Sequence, residues 1–563
     1  MSIRDSVYAR VSETGAAAVT LRTAAVLGTE VDLDLLSGVL AQPAVALLGD
    51  LEAGERCGLL REQGTGFSFQ HELVREALLA ETSAARRGLI HRAAARLLLE
   101  RADADPTRIA FHARLAGDLT TATVALARAA AIAGKRFDYD EADRLLSEAI
   151  ALQPTAAEHL ARGKVRMARD DLVGAAADAE TATVLGAGPP AVELAGWVAY
   201  YRRQFEVARG LAESLEAVLA TDDPLLASAL TLSGRIDHAD GLLTQAGDRL
   251  RRAASVDHPA RGVAAVWFGH WQLDQGDVEG TQAQLCVATA EPGPAIHPFA
   301  PAHRALLAAT SAGIQGQIGD ALEWLHRVQQ EVERRHLVHF SGRALNYRAW
   351  LLRSLLCEDE ADELNLEAAD EAGRIGLVEP QVQSSLDLAD SALRRGDLPA
   401  AQAALDGASV LAAHGYAFAW RGQLRHQLLT ARLTLADDRA DEATGLATQL
   451  HDSAQALGVM RYVVQSELLL HQACAVAGSP TYAADPDVRD RVNHLLGLLP
   501  RVAAPESWWV AATMASAFDE PRWWTVAGER VEVLAGGAGP RGAAFVAQAG
   551  ALLDSMRTRR IND

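Results

Sequence analysis

Four short segments gather the chain's most versatile side chains. They are WFGHWQ (Trp267, His270, Trp271), HPFAPAH (His297, Phe299, His303), HLVHF (His336, His339, Phe340) and NYRAW (Asn346, Tyr347, Arg348, Trp350). Rings of this kind stack on sugars or hold peptide side chains, while Arg and Asn supply directed hydrogen bonds. The candidate ligand-binding residues are therefore Trp267, His270, Trp271, His303, Tyr347, Arg348 and Trp350. The tryptophans have an alternative use as packing between helices, because a core indole needs only one partner for its N–H. Trp508–Trp509 and Trp523–Trp524 are adjacent pairs. Neighbours on a helix face different ways, so at least one of each pair is expected to pack inward.

Other chemistry has little support. His336 and His339 stand three apart, as do His471 and Cys474, but no third ligand has a suggestive spacing for a metal. GxSxG, HExxH and paired-glycine nucleotide loops are missing. No catalytic residue, cofactor or metal is assigned on this basis. An enzyme built on the His/Trp-rich stretch 267–350 stays as the alternative. The acidic run EDEADELNLEAADEAG reads as a solvated helix face.

These residues need a scaffold, and the bulk composition limits it. A chain of 563 residues exceeds a single compact core unless it is a repeat array, which lengthens without a growing centre. Its formal net charge is −20, from 53 basic and 73 acidic side chains. Such a surface repels phosphate backbones on average, which disfavours nucleic acid as a partner. The cysteines, Cys57, Cys286, Cys357 and Cys474, lie far apart and read as reduced thiols. The start MSIRDSVYARVSE lacks the apolar core of a signal peptide, and no run of about 18 apolar residues offers a membrane span. The expectation is a cytoplasmic protein with no membrane contact.

Residues 1–95 and 96–563 differ in texture. The first part predicts helices in AAAVTLRTAAVLGTEVDLDLLSGVL, with a turn at Gly28, and another in AVALLGDLEAGERCGLL. LLREQGTGFSFQH follows as a hairpin around Gly64 and Gly66, then a helix from Glu72. Helices followed by a small hairpin make a winged-helix pattern. The helix before the hairpin carries Asp50, Glu52 and Glu55 against Arg56, and so lacks the side chains that read base edges. Beyond residue 96 the chain is rich in Ala and Leu, with turns every 15 to 20 residues. Ala142, Ala175 and Ala208 recur at intervals of 33, and Gly163 and Gly196 each stand 12 residues before the last two. That is tetratricopeptide-like grammar: small residues let paired helices approach, and Pro154 closes the second helix. It returns with Gly269, Gly276 and Ala288, and with Gly396, Ala401 and Ala408, in longer repeats of roughly 40 residues. The predicted fold is all-α, a tetratricopeptide-like helical-repeat superhelix with an N-terminal winged-helix domain. AGSPTYAADPD and LPRVAAPES, within 476–506, are expected to be loops.

The combination of FSFQHELVREAL, ARRGLIHRAAARLL and such repeats resembles a known family. It is similar to the sensor arm of the large ATP-dependent LuxR-type regulators and their maltose-regulator-like relatives, of the STAND class of signalling ATPases. The matching residues are Phe67, Phe69, His71, Leu73, Val74, Arg75, Glu76, Ala77 and Leu78, then Ala85, Arg86, Arg87, Leu89 and His91. The resemblance implies a nucleotide-sensing role for His71. It also implies a phosphate loop, GxxxxGK[ST]. Lys135 and Lys164 are the only lysines, and neither has the required glycine and hydroxyl neighbours. His71 is then a sensor-like position without its nucleotide loop, or a structural residue capping the start of its helix. The family's C-terminal helix-turn-helix is also missing. A natural stand-alone protein, a split gene product and a fragment all fit. The expected function is non-catalytic regulation linked to transcription. The partner would be a small molecule, sugar or peptide held on the concave face, or a protein, including an ATPase supplied in trans.

Overall fold

The computed structural model describes residues 10–64, 66–221, 223–256, 261–290, 297, 299–335, 337–478 and 480–562. They fall into two compact units, one up to residue 167 with 173–191, the other 168–172 with the residues from 192 on. Among the described residues no single helix is long and apolar enough to cross a membrane.

The first unit opens with the helix Ala18–Leu27 and a three-stranded antiparallel sheet. Strands β1 (Glu30–Val31), β2 (Leu60–Gln63) and β3 (Gly66–Phe69) lie in the order β1-β3-β2. The predicted hairpin is β2–β3, with Leu60 opposite Phe69 and Gln63 opposite Gly66. Gly64 turns it at φ +63°, a left-handed value that only glycine adopts freely. Strand β1 was not foreseen; its two residues pair Glu30 with Ser68 and Val31 with Phe67. Asp32 ends it and caps the helix Leu33–Leu40, its Oδ1 accepting from Leu35 N at 2.9 Å. Helix Ala44–Arg56 precedes the hairpin, and Glu72–Ala80 and Ala84–Leu99 follow it. Helix pairs then begin, and the repeat alanines Ala142, Ala149 and Ala175 are fully buried.

The second unit is a tetratricopeptide-like helical-repeat superhelix. Three-residue turns join Arg261–Asp274 to Val278–Ala290, Ala300–Ile314 to Ile318–Arg335, and Val338–Ser354 to Glu358–Arg374. Such short connections make neighbouring helices antiparallel. Each turn holds one left-handed residue, and Gly276, Gly316, Leu356 and Gly396 fall 40 positions apart. The residue after each donates its N–H five positions back: Asp277 to Gln272 O and Gln317 to Ala312 O, both at 2.9 Å. The same bond runs from Cys357 to Leu352 and from Asp397 to Ala392. This Schellman closure satisfies carbonyls that the helix end would otherwise strand. Successive pairs interlock through small residues. A Cβ on Gly269 would lie 2.6 Å from Leu307, and one on Gly313 2.7 Å from Trp350.

The superhelix closes on itself. Trp420 Nε1 donates to His238 O at 2.9 Å, and Phe418 N to Ala239 O at 2.8 Å. Gly276 lies against Met460 and Val502, and Gly319 N donates to Gly537 O at 2.7 Å. The turns of three consecutive pairs therefore each meet chain that comes about one superhelical turn later.

The loop expectations near the end fail: AGSPTYAADPD contains the short helix Pro480–Ala484. LPRVAAPES is not a loop. It lies inside the helix Pro486–Phe518, which bends at Ala503 (φ −160°, ψ 59°) between Pro500 and Pro505. Proline removes a helical hydrogen bond and crowds the preceding turn, so these two prolines kink the helix without ending it. Trp508 and Trp523 are the inward members of their pairs.

Candidate functional site

Closure turns the concave face of the second unit into an interior with two chambers. The first has about 180 Å³ open to water and is walled by the leading helices of six successive pairs. His270 and Asp274 come from Arg261–Asp274, and Thr310 and Ile314 from Ala300–Ile314. Helix Val338–Ser354 gives Arg343, Asn346, Tyr347 and Trp350, and Val378–Arg395 gives Glu379 and Gln383. Ala419–Ala436 adds Trp420, Arg421 and Arg425, and Met460–Val476 adds Arg461 and Tyr462. The second chamber, about 420 Å³, shares Arg343, Glu379 and Pro380 with the first. Arg203, Arg235, Asp240, His303 and the rings of Tyr200, Tyr201, Phe205, Phe340, Tyr416 and Phe418 line most of the rest.

The first chamber holds five arginines (Arg343, Arg421, Arg425, Arg461, Arg501) against two carboxylates (Asp274, Glu379). An excess of positive charge thus lines the interior of a chain whose net charge is −20. Asp274 binds Arg421 and accepts from His238 Nε2 at 2.8 Å. Burial alone would raise the Asp274 carboxyl, but Arg421 and His238 hold it well below the usual carboxylate range. Glu379 binds Arg343, and Glu506 binds Arg461. Deeper in, Asp387 is fully buried between Arg425 and Arg353, with Arg353 Nη2 at 3.0 Å. Burial lowers the pKa of Arg425, but Asp387 and Asp390 override it and the net shift is upward.

Burial keeps the histidines around the two chambers neutral near pH 7. Burial, with the Arg235 charge second, drives His270 and His303 well below their ordinary value. Burial drives His238 down to about 4 despite the Asp274 carboxylate. His270 Nε2 donates to His303 O at 3.2 Å.

Of the residues singled out from sequence, His270, Tyr347 and Trp350 meet in the first chamber and His303 lines the second. Trp267 is fully buried behind them, its ring centroid 3.9 Å from that of His303. Trp271 faces another direction: it packs on Gly247 and donates to Leu243 O at 2.7 Å. Arg348 lines a separate cavity beside Glu367 and Glu371 and lies 3.7 Å from Glu360. His71 is exposed at the cap of Glu72–Ala80, where its side chain makes no capping hydrogen bond. His471 Nδ1 bonds Tyr482 Oη at 2.7 Å. His336 and the His339 side chain lie outside the described residues. Sequence reasoning missed Arg235, Asp274, Glu379, Arg421, Arg425 and Arg461. A signal for such positions exists: His270, Thr310 and Trp350 line one chamber at 40-residue intervals, and so do Arg421 and Arg461.

No family model matches this chain, and no curated protein does. Among solved structures it is similar to a Rap protein complexed with competence and sporulation factor. That match has 11% identity and a TM-score of 0.44, and covers 66% of this chain and 98% of the other. A STAND protein with a tetratricopeptide repeat sensor, from Pyrococcus horikoshii, aligns at 12% identity with a TM-score of 0.30. It covers 79% of this chain and 65% of that one. Yeast Tom70 aligns at 11% identity, also with a TM-score of 0.30, over 85% and 97% of the two chains. Scores this low do not establish a common fold; the repeat character of the second unit rests on its own helix pairs and turns.

Proposed function

We propose that the protein is a cytoplasmic regulatory binding protein, whose second unit senses a small molecule or short peptide enclosed in its arginine-rich interior. One observation carries this reading: the superhelix closes over its concave face and leaves two ring-lined chambers with surplus hydrogen-bond donors. Enclosure removes water from the walls, so each directed contact to a ligand gains strength. On this reading residues 1–95 are a winged-helix domain like that of LuxR-type ATP-dependent regulators, and 96–563 are the sensor array. Hairpin β2–β3 behind the helix Ala44–Arg56, together with the FSFQHELVREAL run, supports that assignment. The output would be transcriptional regulation through a partner protein, including an ATPase in trans.

The test is a thermal-shift screen of the full chain against short peptides, oligosaccharides and small metabolites, with calorimetry on each hit. A ligand that binds only the folded state raises Tm by mass action. Tyr347→Ala and Trp350→Ala should each weaken such a ligand by about tenfold or more. Hits that bind both variants as tightly as the parent would contradict an interior site.

A catalytic reading draws on the same enclosure, because His, Arg and carboxylate groups converge there. Their states argue against it. A general base works best with a pKa near the operating pH. Asp274 and Glu379 are committed to arginines, and burial keeps His270 and His303 poor proton acceptors.

A further inference from the structure

Arg235 stands apart from the other interior arginines. It is only 5% exposed, yet no carboxylate pairs with it among the described residues. Its guanidinium carbon lies 4.5 Å from the Trp267 ring centroid and 4.3 Å from that of Phe418, so two aromatic faces sandwich it. Nε donates to Tyr200 Oη at 3.1 Å, and Nη1 has no hydrogen-bond partner. Cation–π contact holds the guanidinium plane but leaves its edge donors unused. The nearest charges do not help, since Arg421 and Arg343 are also positive. The same surplus recurs along the interior: Arg343 Nε, Arg421 Nε and Arg461 Nε are buried donors without acceptors. An unpaired buried cation is costly, and an anion that reaches it removes that cost.

We propose that the second chamber binds the carboxylate of an apolar or aromatic ligand, with Arg235 as its counter-ion. Charge and shape select this class. The chamber's lining carries Arg203, Arg235 and Arg343 against Asp240 and Glu379, a surplus of one positive charge; that matches one carboxylate, whereas a phosphate dianion would remain half-neutralised. The wall beside Arg235 is ring-rich, with Tyr201, Phe340 and Phe418, so the body attached to the carboxylate is apolar. Of the chamber's carboxylates, Asp240 is bound by Arg209 and Glu379 by Arg343, and burial keeps His303 neutral, so none of these neutralises Arg235. The carboxylate has two natural sources, a free small acid and the C-terminus of a short peptide. The inference rests on the interior being a binding site, and adds which chemistry it takes.

The experiment uses the full chain with matched probes that differ only in charge. Hippurate is compared with hippuramide, and the tripeptide Ala-Ala-Phe as free acid with its C-terminal amide; inorganic phosphate is a further arm. Calorimetry is expected to show at least one acid binding tenfold or more above its amide. Hippurate alone would mark a small acid, and the tripeptide acid alone a peptide C-terminus. Arg235→Met should abolish the acid–amide difference, and Arg235→Lys should restore part of it. Arg235 has no ion pair to lose, so Arg235→Met should keep or raise the Tm, which separates lost binding from lost folding. Equal binding of acid and amide, no acid binding at millimolar concentration, tighter binding of phosphate, or an acid preference that survives in Arg235→Met would each overturn the proposal. A neutral ligand found in the wider screen would then leave the interior binding site standing without its carboxylate.

Discussion

Arg421 binds the Asp274 carboxylate across 147 positions of sequence, and the same carboxylate accepts from His238. The contact links two helices of one superhelix that belong to different turns. It also stands in the wall of the first chamber, so closure and site share residues.

Asp274→Asn should therefore weaken both. It leaves Arg421 without its anion in a poorly solvated place, and a loss of about 2 to 3 kcal/mol is expected by chemical denaturation. Pairing Asp274→Asn with Arg421→Met should cost less than the sum of the two single changes. Simple additivity would show that the pair does not couple the turns.

Acid should loosen the fold in a defined window. His91, His112 and His238 are held near 4 by burial, below an ordinary value of 6.5. Between those limits the unfolded chain binds protons that the folded chain refuses, so stability falls as pH drops from about 6.5 to about 4. Asp274, whose folded pKa is depressed below 3.8, loses its contribution only at lower pH still. Replacing His91 and His112 with Asn should flatten the slope in the upper window. A profile with no slope between pH 6.5 and 4 would contradict the buried neutral assignments.

Two equivalent glycines offer a measure of closure. Gly276 and Gly396 hold the same left-handed turn position, at φ +80° and +74°. A Cβ on Gly396 meets open space, whereas one on Gly276 would lie 3.1 Å from Met460 Cβ and 3.2 Å from Val502 Cγ1. Gly396→Ala should cost about 1 kcal/mol from backbone strain alone. Gly276→Ala should cost about 1 kcal/mol more, from crowding against the next turn. Equal costs would mean that the turns do not press together.

ATP should not bind the purified protein alone. Lys135 and Lys164 lack the sequence context of a phosphate loop, and no other lysine can replace them. Calorimetry checks this directly, and a micromolar Kd would require a nucleotide site outside that motif.

The repeats were legible because their geometry is local. Ala142, Ala175 and Ala208 recur where two helices touch, and a larger side chain there would force them apart. The β2–β3 hairpin was legible from Gly64 and Gly66. Strand β1 was not, because two residues carry no periodic signal. The kinked helix was misread because Pro500 and Pro505 are breakers by local rules, while tertiary packing holds the helix through them. The site divides in the same way. His270, His303, Tyr347 and Trp350 stood out as ring-rich clusters on leading helices. Trp271 and Arg348 sat in the same clusters, but helix rotation turns them elsewhere. Asp274 and Arg421 escaped notice because only the superhelical turn brings them together.

The central claim is that the closed interior of the second unit is where a ligand binds. Hydrogen exchange on the full chain, with and without a ligand from the thermal-shift screen, tests it most directly. The account predicts slowed exchange concentrated in Arg261–Asp274, Val338–Ser354 and Ala419–Ala436, the helices that bring His270, Trp350 and Arg421 to the first chamber. Protection confined to residues 10–95, or spread over the outer helices with these three unchanged, would contradict it.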